Sequence, residues 1–274
     1  MTDAAPGGDP DPTDPAGPAG DGVAPRRRSR ARRIVLITLA AVGGVLVAGV
    51  VGILIWSQVG VMAAEPAPLD AVRSDDRIQL SEVDGSVVLT PSSGSSEVGL
   101  VFVPGAKVEA EAYASLLSGV VAGDGVTVVI TRPWLNLAFF DPRPLSSFTD
   151  LAPEVSTWLV GGHSLGGVRA CQLADDADGL VLFASYCATD LSATDLPVLS
   201  LSGSEDGLTT PQKVDDNRSL LPADAAFIEI PGASHSSFGD YGPQAGDGSP
   251  TISDADMSAD VTAALTELLA ALPR

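Results

Sequence analysis

The chain has 274 residues, 45% hydrophobic but only 5% aromatic, and a formal net charge of −20. That acidity excludes a nucleic-acid-binding role, because phosphate would be repelled. With a tail and one apolar span set aside, roughly 200 residues remain, enough for one well-filled core of Val, Leu and Ala.

Residues 1–25 are Asp, Pro, Gly and Ala with almost nothing apolar to bury, and read as a disordered tail. A run with six arginines follows, from Arg26 to Arg33. Residues 1–33 are therefore expected to form a cytoplasmic tail ending in a basic cluster. Ile34 to Trp56 carries no charge and is long enough to cross a hydrocarbon core of about 30 Å. Flanking arginines hold the N-terminal end in the cytoplasm, and Trp56 suits the far interface. The expectation is a single-pass anchor through residues 34–56 with everything after Ser57 outside. A cleaved signal peptide, with Met62-Ala63-Ala64 as its cleavage site, is the competing reading, but the apolar run exceeds the usual 7–15 residues. The part after Ser57 holds 9 basic and 30 acidic residues, and such a surface does not cling to anionic lipid.

Residues 57–76 read as a linker with Pro66 and Pro68, and residues 77–274 as one domain. Ile78–Leu80 and Val87–Leu89 flank Asp84-Gly85, a hairpin signal. Strands are predicted at Gly99–Val103, Val126–Ile130, Trp158–Val160, Gly179–Ala184, Val198–Leu201 and Ala226–Ile230. Helices are predicted at Val108–Val121, after Ser164 to about Ala174, at Thr210–Leu221 with Pro211 in the first turn, and at Asp256–Leu272. Strands alternating with helices at this rhythm give an α/β fold, a mostly parallel sheet covered on both faces. Cys171 falls roughly 10 Å down the helix after Ser164, and Cys187 just past the upper end of the next strand. A disulfide needs Cα atoms within about 7 Å, so two separate buried thiols are expected.

Gly162-His163-Ser164-Leu165-Gly166 lies between a strand and a helix, the setting of a nucleophile elbow. In so glycine-rich a chain chance alone supplies about 0.3 such matches, so the motif needs its partners. A serine hydroxyl is a poor nucleophile until a base takes its proton. The chain has two histidines. His163 is the variable residue of the motif and reads as structural. His235, after the last strand, is the candidate base. Asp206, in Gly203-Ser204-Glu205-Asp206-Gly207, is the candidate acid, with Glu205 and Asp190 as alternatives, and the chain order is then Ser, Asp, His. The oxyanion formed on attack needs preorganised donors. The backbone N–H groups of Leu165 and Ala106 are the candidates, with Lys107 the alternative to Ala106. Trp134, Leu135, Leu137 and Phe139 lie in an apolar loop at the sheet's upper edge. They either pack beneath the elbow or form an acyl pocket. No metal or organic cofactor is implied.

The residues that carry this chemistry resemble the alpha/beta-hydrolase superfamily, and within it a small bacterial group related to dienelactone hydrolases. The resemblance covers roughly residues 77–274. It rests on the Pro-Gly-x-Lys-Val loop at 104–108, the Leu135-to-Phe140 stretch and Gly-Gly-His-Ser-Leu-Gly-Gly at 161–167. Gly-Ser-Glu-Asp-Gly at 203–207 and the His235-to-Gly242 run complete it. The group usually shows two glycines in the first loop, where this chain has Ala106 second. Many dienelactone hydrolases use cysteine as nucleophile, and serine here favours an ordinary ester. Barely a dozen residues separate Ser185 from Pro197, the usual place of a lid, so a minimal lid or none is expected. The reading is an anchored extracytoplasmic serine hydrolase acting on small or medium esters. An acyltransferase working on an envelope acceptor, or a non-catalytic binding module, is the alternative.

Overall fold

The computed structural model describes residues 27–94 and 96–272. The expected tail over residues 1–25 lies outside the described residues. The chain divides into two units after Gly52. The first is most of helix α1 (Arg27–Gln58), which begins inside the arginine run, so these residues extend the helix. Arg30–Gln58 is long and apolar enough to cross a bilayer, and its side chains from Ile34 to Trp56 are almost all bare. A helix of this length and composition near the N-terminus suits a membrane anchor or a signal sequence alike.

The second unit, from Ile53 onward, is built on an eight-stranded sheet. The strands are β1 (Ile78–Val83), β2 (Ser86–Pro91), β3 (Val98–Val103), β4 (Thr127–Ile130), β5 (Thr157–His163), β6 (Gly179–Phe183), β7 (Val198–Gly203) and β8 (Ala226–Ile230). Their spatial order is β1-β2-β4-β3-β5-β6-β7-β8. The first two strands pair antiparallel, as do β2 and β4, and all other pairings are parallel. Asp84 and Gly85 turn the β1–β2 hairpin with positive φ at both positions (46° and 76°). The remaining helices are α2 (Pro66–Arg73), α3 (Ala114–Asp124), α4 (Ser146–Thr149), α5 (Leu165–Leu173), α6 (Pro211–Asp216) and α7 (Asp254–Ala271).

Successive strand residues feed opposite cores, as a period of two requires. In β3, Leu100 and Phe102 join the core beneath α2, α3 and α7, while Val101 joins the one beneath α4 and α5. The buried runs read from sequence are therefore strands covered on both faces. The stretch expected as a linker is partly structured: Pro66 starts α2, which buries Leu69 and Val72 against the first core. Apolar spacing over only eight residues gave little to distinguish it from a loop. The predicted helices at 108–121 and 210–221 are each broken, with a single 3-10 turn at Ala110–Tyr113 before α3 and at Arg218–Leu220 after α6.

The cysteine expectation is overturned. Cys171 and Cys187 form a disulfide with Cα atoms 5.6 Å apart. The reason is chain direction. Past β6 the backbone enters the left-handed region at Ala184 (φ 44°) and leads Cys187 back to the inner side of α5. The connection over residues 184–197 contains no helix or strand.

Candidate active site

The C-terminal ends of the parallel strands converge on one rim. Registers pair His163 with Phe183, Phe183 with Leu201, and Gly203 with Ile230. Ser164 follows β5, Asp206 lies three residues past β7, and His235 lies five past β8. The topology thus places the three on the same rim, after β5, β7 and β8, with β6 between the first two.

Ser164 has φ 53° and ψ −122°, a conformation that costs a non-glycine residue energy unless its surroundings enforce it. They do. Its N–H donates to Phe183 O at 3.0 Å, and its carbonyl accepts from Gly167 N–H at 3.0 Å and from the Ser185 hydroxyl at 2.7 Å. The turn also closes on itself. A Cβ at Gly162 would strike the backbone of Gly166, and one at Gly166 would strike the carbonyls of Val103 and Pro104. Glycine is therefore the residue that lets the elbow pack on the end of β3.

His235 opens a 3-10 turn (His235–Phe238) capped by Ser234 and is 1% exposed. Its Nδ1 lies 2.9 Å from Asp206 Oδ2. The other carboxylate oxygen of Asp206 accepts from the backbone N–H groups of Leu208 (2.8 Å) and Thr209 (2.7 Å). A carboxylate held by two such donors is an acceptor toward the ring, so Nδ1 carries the proton and Nε2 is left with its lone pair. Of the three carboxylates the sequence offers, Asp206 is bonded to this imidazole. Asp190 instead accepts from Ser192, and Glu205 from Ser204.

Asp247 binds these two loops together, and sequence reading missed it. Its Oδ1 accepts from the N–H groups of Gly207 (3.1 Å), His235 (3.0 Å) and Gly248 (2.7 Å). Its Oδ2 accepts from Ser236 N–H (2.8 Å) and Ser236 Oγ (3.0 Å). Partial burial opposes its ionisation, but the four backbone donors outweigh that and hold its carboxyl down at about 2. An aspartate among Gly, Ser and Pro reads as a loop residue, and nothing local marks it as a staple.

His163 is buried beside His235, ring centres 4.5 Å apart. Burial, reinforced by His235, depresses its pKa well below the ordinary range, so it stays neutral. Its Nδ1 lies 2.9 Å from the Tyr113 hydroxyl, which accepts the Gly105 N–H at 2.9 Å. With its one proton directed to Nδ1, Tyr113 links the elbow to the 104–108 loop. A Cβ on Gly105 would approach His163 Nδ1 to 2.8 Å, which explains the glycine.

In that loop Gly105 N–H is held by Tyr113, and Lys107 N–H donates to Asn136 O at 2.8 Å. Ala106 N–H has no partner among the described residues. Leu165 is the first residue of α5, where an N–H has no intrahelical acceptor. Both residues are partly accessible, as is Ser164. The apolar loop departs from the packing alternative. Trp134 and Phe139 are exposed, Leu135 and Leu137 half-buried, and only Ala138 between them is in the interior. Leu135 and Asn136 both take left-handed φ (57° and 56°), which turns these side chains away from the core. Among the described residues no group of three or more His, Cys, Asp or Glu side chains is arranged to hold a metal.

Residues 99–259, more than half the chain, match the alpha/beta hydrolase family. The chain belongs to that family. Solved structures of the same fold include a lidless alpha/beta serine hydrolase from Xanthomonas campestris, 16% identical with a TM-score of 0.50, covering 73% of this chain and 97% of that one. A predicted CIB-like hydrolase from Thermoplasma acidophilum is 14% identical with a TM-score of 0.50, covering 69% of this chain and 97% of that one. No curated protein matches. This alpha/beta hydrolase carries the eight-stranded, mostly parallel sheet of its family and a bare connection after β6.

Proposed function

We propose that this alpha/beta hydrolase is a serine esterase anchored in the membrane by residues 34–56, with residues 77–274 outside the cytoplasm. The observation that carries the reading is the buried His235–Asp206 pair at the same sheet rim as the strained Ser164. Ser164 attacks an ester carbonyl while His235 Nε2 takes the hydroxyl proton. Ala106 and Leu165 N–H groups receive the oxyanion. The tetrahedral intermediate collapses, the C–O bond of the alcohol breaks, and His235 returns its proton to the departing oxygen. Water then repeats the attack on the acyl-enzyme and releases the acid. The Ser nucleophile and the open rim fit the dienelactone-hydrolase-related group in architecture but favour simple carboxylic esters. The disulfide supports an extracytoplasmic site, since such bonds persist in oxidising compartments.

A fluorophosphonate probe tests this directly. Wild-type protein should be labelled and Ser164→Ala should not. Equal labelling of both, or of neither, overturns the nucleophile assignment.

A further inference from the structure

The end of the apolar helix is bonded to the loop that carries Ala106. Lys107 Nζ donates to Trp56 O and Val59 O, each at 2.7 Å, and sits 4.2 Å from the centre of the Trp56 ring. A cation on the last carbonyls of a helix is where the helix dipole favours it. Asn136 Nδ2 donates to Ser57 O at 3.1 Å, and Ser57 is 1% exposed. Beyond the helix, Met62 N–H donates to Lys107 O (2.7 Å), Glu109 N–H to Met62 O (3.0 Å), and Ala64 N–H to Glu109 Oε2 (3.1 Å). Residues 56–64 therefore form a fixed joint with the 104–109 segment.

The second loop at this joint is the apolar one. Past Val59, the large hydrophobic side chains that are more than half exposed are Trp134 (55%), Phe139 (58%) and Phe140 (52%). All three flank Asn136, the residue that holds Ser57. Nearby cations are already committed. Arg132 pairs with Glu82 and Glu111, Arg143 with Asp141, and Lys107 with the helix carbonyls. This rim has little free positive charge to attract anionic headgroups. It offers aromatic rings, the side chains that partition into a bilayer interface.

We propose that this rim rests on the outer leaflet, with Trp134, Phe139 and Phe140 in the interface, and that the substrate is an ester whose acyl chain is held in that leaflet. The inference builds on the anchored-esterase reading and names its substrate class. The chain leaves the bilayer at residues 56–59, and those residues are bonded to the oxyanion loop, so the mouth at Ser164 is held at the depth where such an ester carbonyl lies.

The test uses the full-length protein in phosphatidylcholine proteoliposomes. In the Trp56→Phe, Trp158→Phe variant the remaining Trp134 should be quenched by phospholipids brominated near the headgroup. Wild-type enzyme should cleave 4-methylumbelliferyl oleate in the bilayer at least about tenfold faster than the soluble acetate. Phe140→Ser should lower the oleate rate about fivefold or more while fluorophosphonate labelling stays within about twofold. Unquenched Trp134, an unchanged oleate rate in Phe140→Ser, or a crosslinked dimer through Trp134 would overturn the membrane contact. Labelling would remain, so the esterase reading would survive. Absent labelling, or an N-terminus beginning after Ala64, would instead sink the anchored-esterase reading itself.

Discussion

Replacing Asp247 with Ala should damage stability and activity together. Five hydrogen bonds disappear, four of them from backbone N–H groups at Gly207, His235, Ser236 and Gly248. Bonds to a charged acceptor each contribute about 1.5–3 kcal/mol when buried. Asp247 is only partly buried, so water replaces some of them, and about 3 kcal/mol in total is a fair expectation. For a domain of this size that lowers Tm by about 6–12 °C. Activity should fall further than stability explains. The staple fixes the backbone of His235 relative to the loop of Asp206, and a displacement of about 1 Å at a catalytic group can cost 100-fold. The assay is p-nitrophenyl butyrate hydrolysis, with kcat and KM separated, beside a thermal melt. We expect kcat to fall 10–100-fold with little change in KM. The pH dependence gives a second reading. A carboxyl depressed to about 2 from 3.8 contributes stability above pH 3.8, which is lost as pH falls toward 2. After discounting for exposure that amounts to about 1 kcal/mol, and it should be missing from the variant. Wild-type kcat and Tm in Asp247→Ala would mean the two loops hold themselves, and the staple argument would be wrong.

Tyr113→Phe removes the link between Gly105 and His163. An unpaired buried N–H costs about 1–3 kcal/mol, and kcat should drop about tenfold as Ala106 loses its placement, measured by the same ester assay. Cys171→Ser with Cys187→Ser opens a loop of sequence separation 16, which the chain-entropy account values at about 3 kcal/mol, so chemical denaturation should shift accordingly. Asp240 is pushed up to about 6 by burial, aided by Asp254 and Glu65. Its raised pKa means stability is fullest below about pH 3.8 and declines as pH rises through 6. Asp240→Asn should therefore stabilise the protein by at most about 2 kcal/mol at pH 8, with the gain vanishing near pH 4 in pH-dependent melts.

The strands were legible because each is a short β-rich run, most with Gly or Pro close to an end, and parallel strands buried on both faces need no alternation to be recognised. Ser164 and His235 stood out for different reasons. One sits in a glycine-flanked turn that few other functions require, and the other is the only histidine outside it. Asp206 was harder, since the chain carries 35 acidic residues and only strand order singled it out. Three things stayed hidden. The disulfide depends on the direction the chain takes after Ala184, a single backbone angle that residue type does not announce. Asp247 acts through five donors scattered over residues 207–248, and only the Gly248 N–H is its neighbour in sequence. Apolar composition left loop 134–140 open between core packing and an acyl pocket, and it is the consecutive left-handed residues Leu135 and Asn136 that accompany its outward-facing Trp134 and Phe139.

Lys107 ties Trp56 and Val59 to the loop that carries Ala106. It has a left-handed φ of 56° and donates its N–H to Asn136 O, while the preceding N–H, of Ala106, has no partner among the described residues. Its side chain meanwhile caps the end of the apolar helix. Lys107→Met would keep the stem but lose both carbonyl contacts, loosening the joint at Trp56 and Val59 while sparing its backbone bonds. If the joint sets the height of the site above the bilayer, hydrolysis of the membrane-held oleate ester should fall about fivefold while Tm stays within about 2–3 °C, the equivalent of roughly 1 kcal/mol. A proportional fall on the soluble acetate would show instead that Lys107 acts only through the shape of its loop, and the coupling of anchor to active site would have no physical basis.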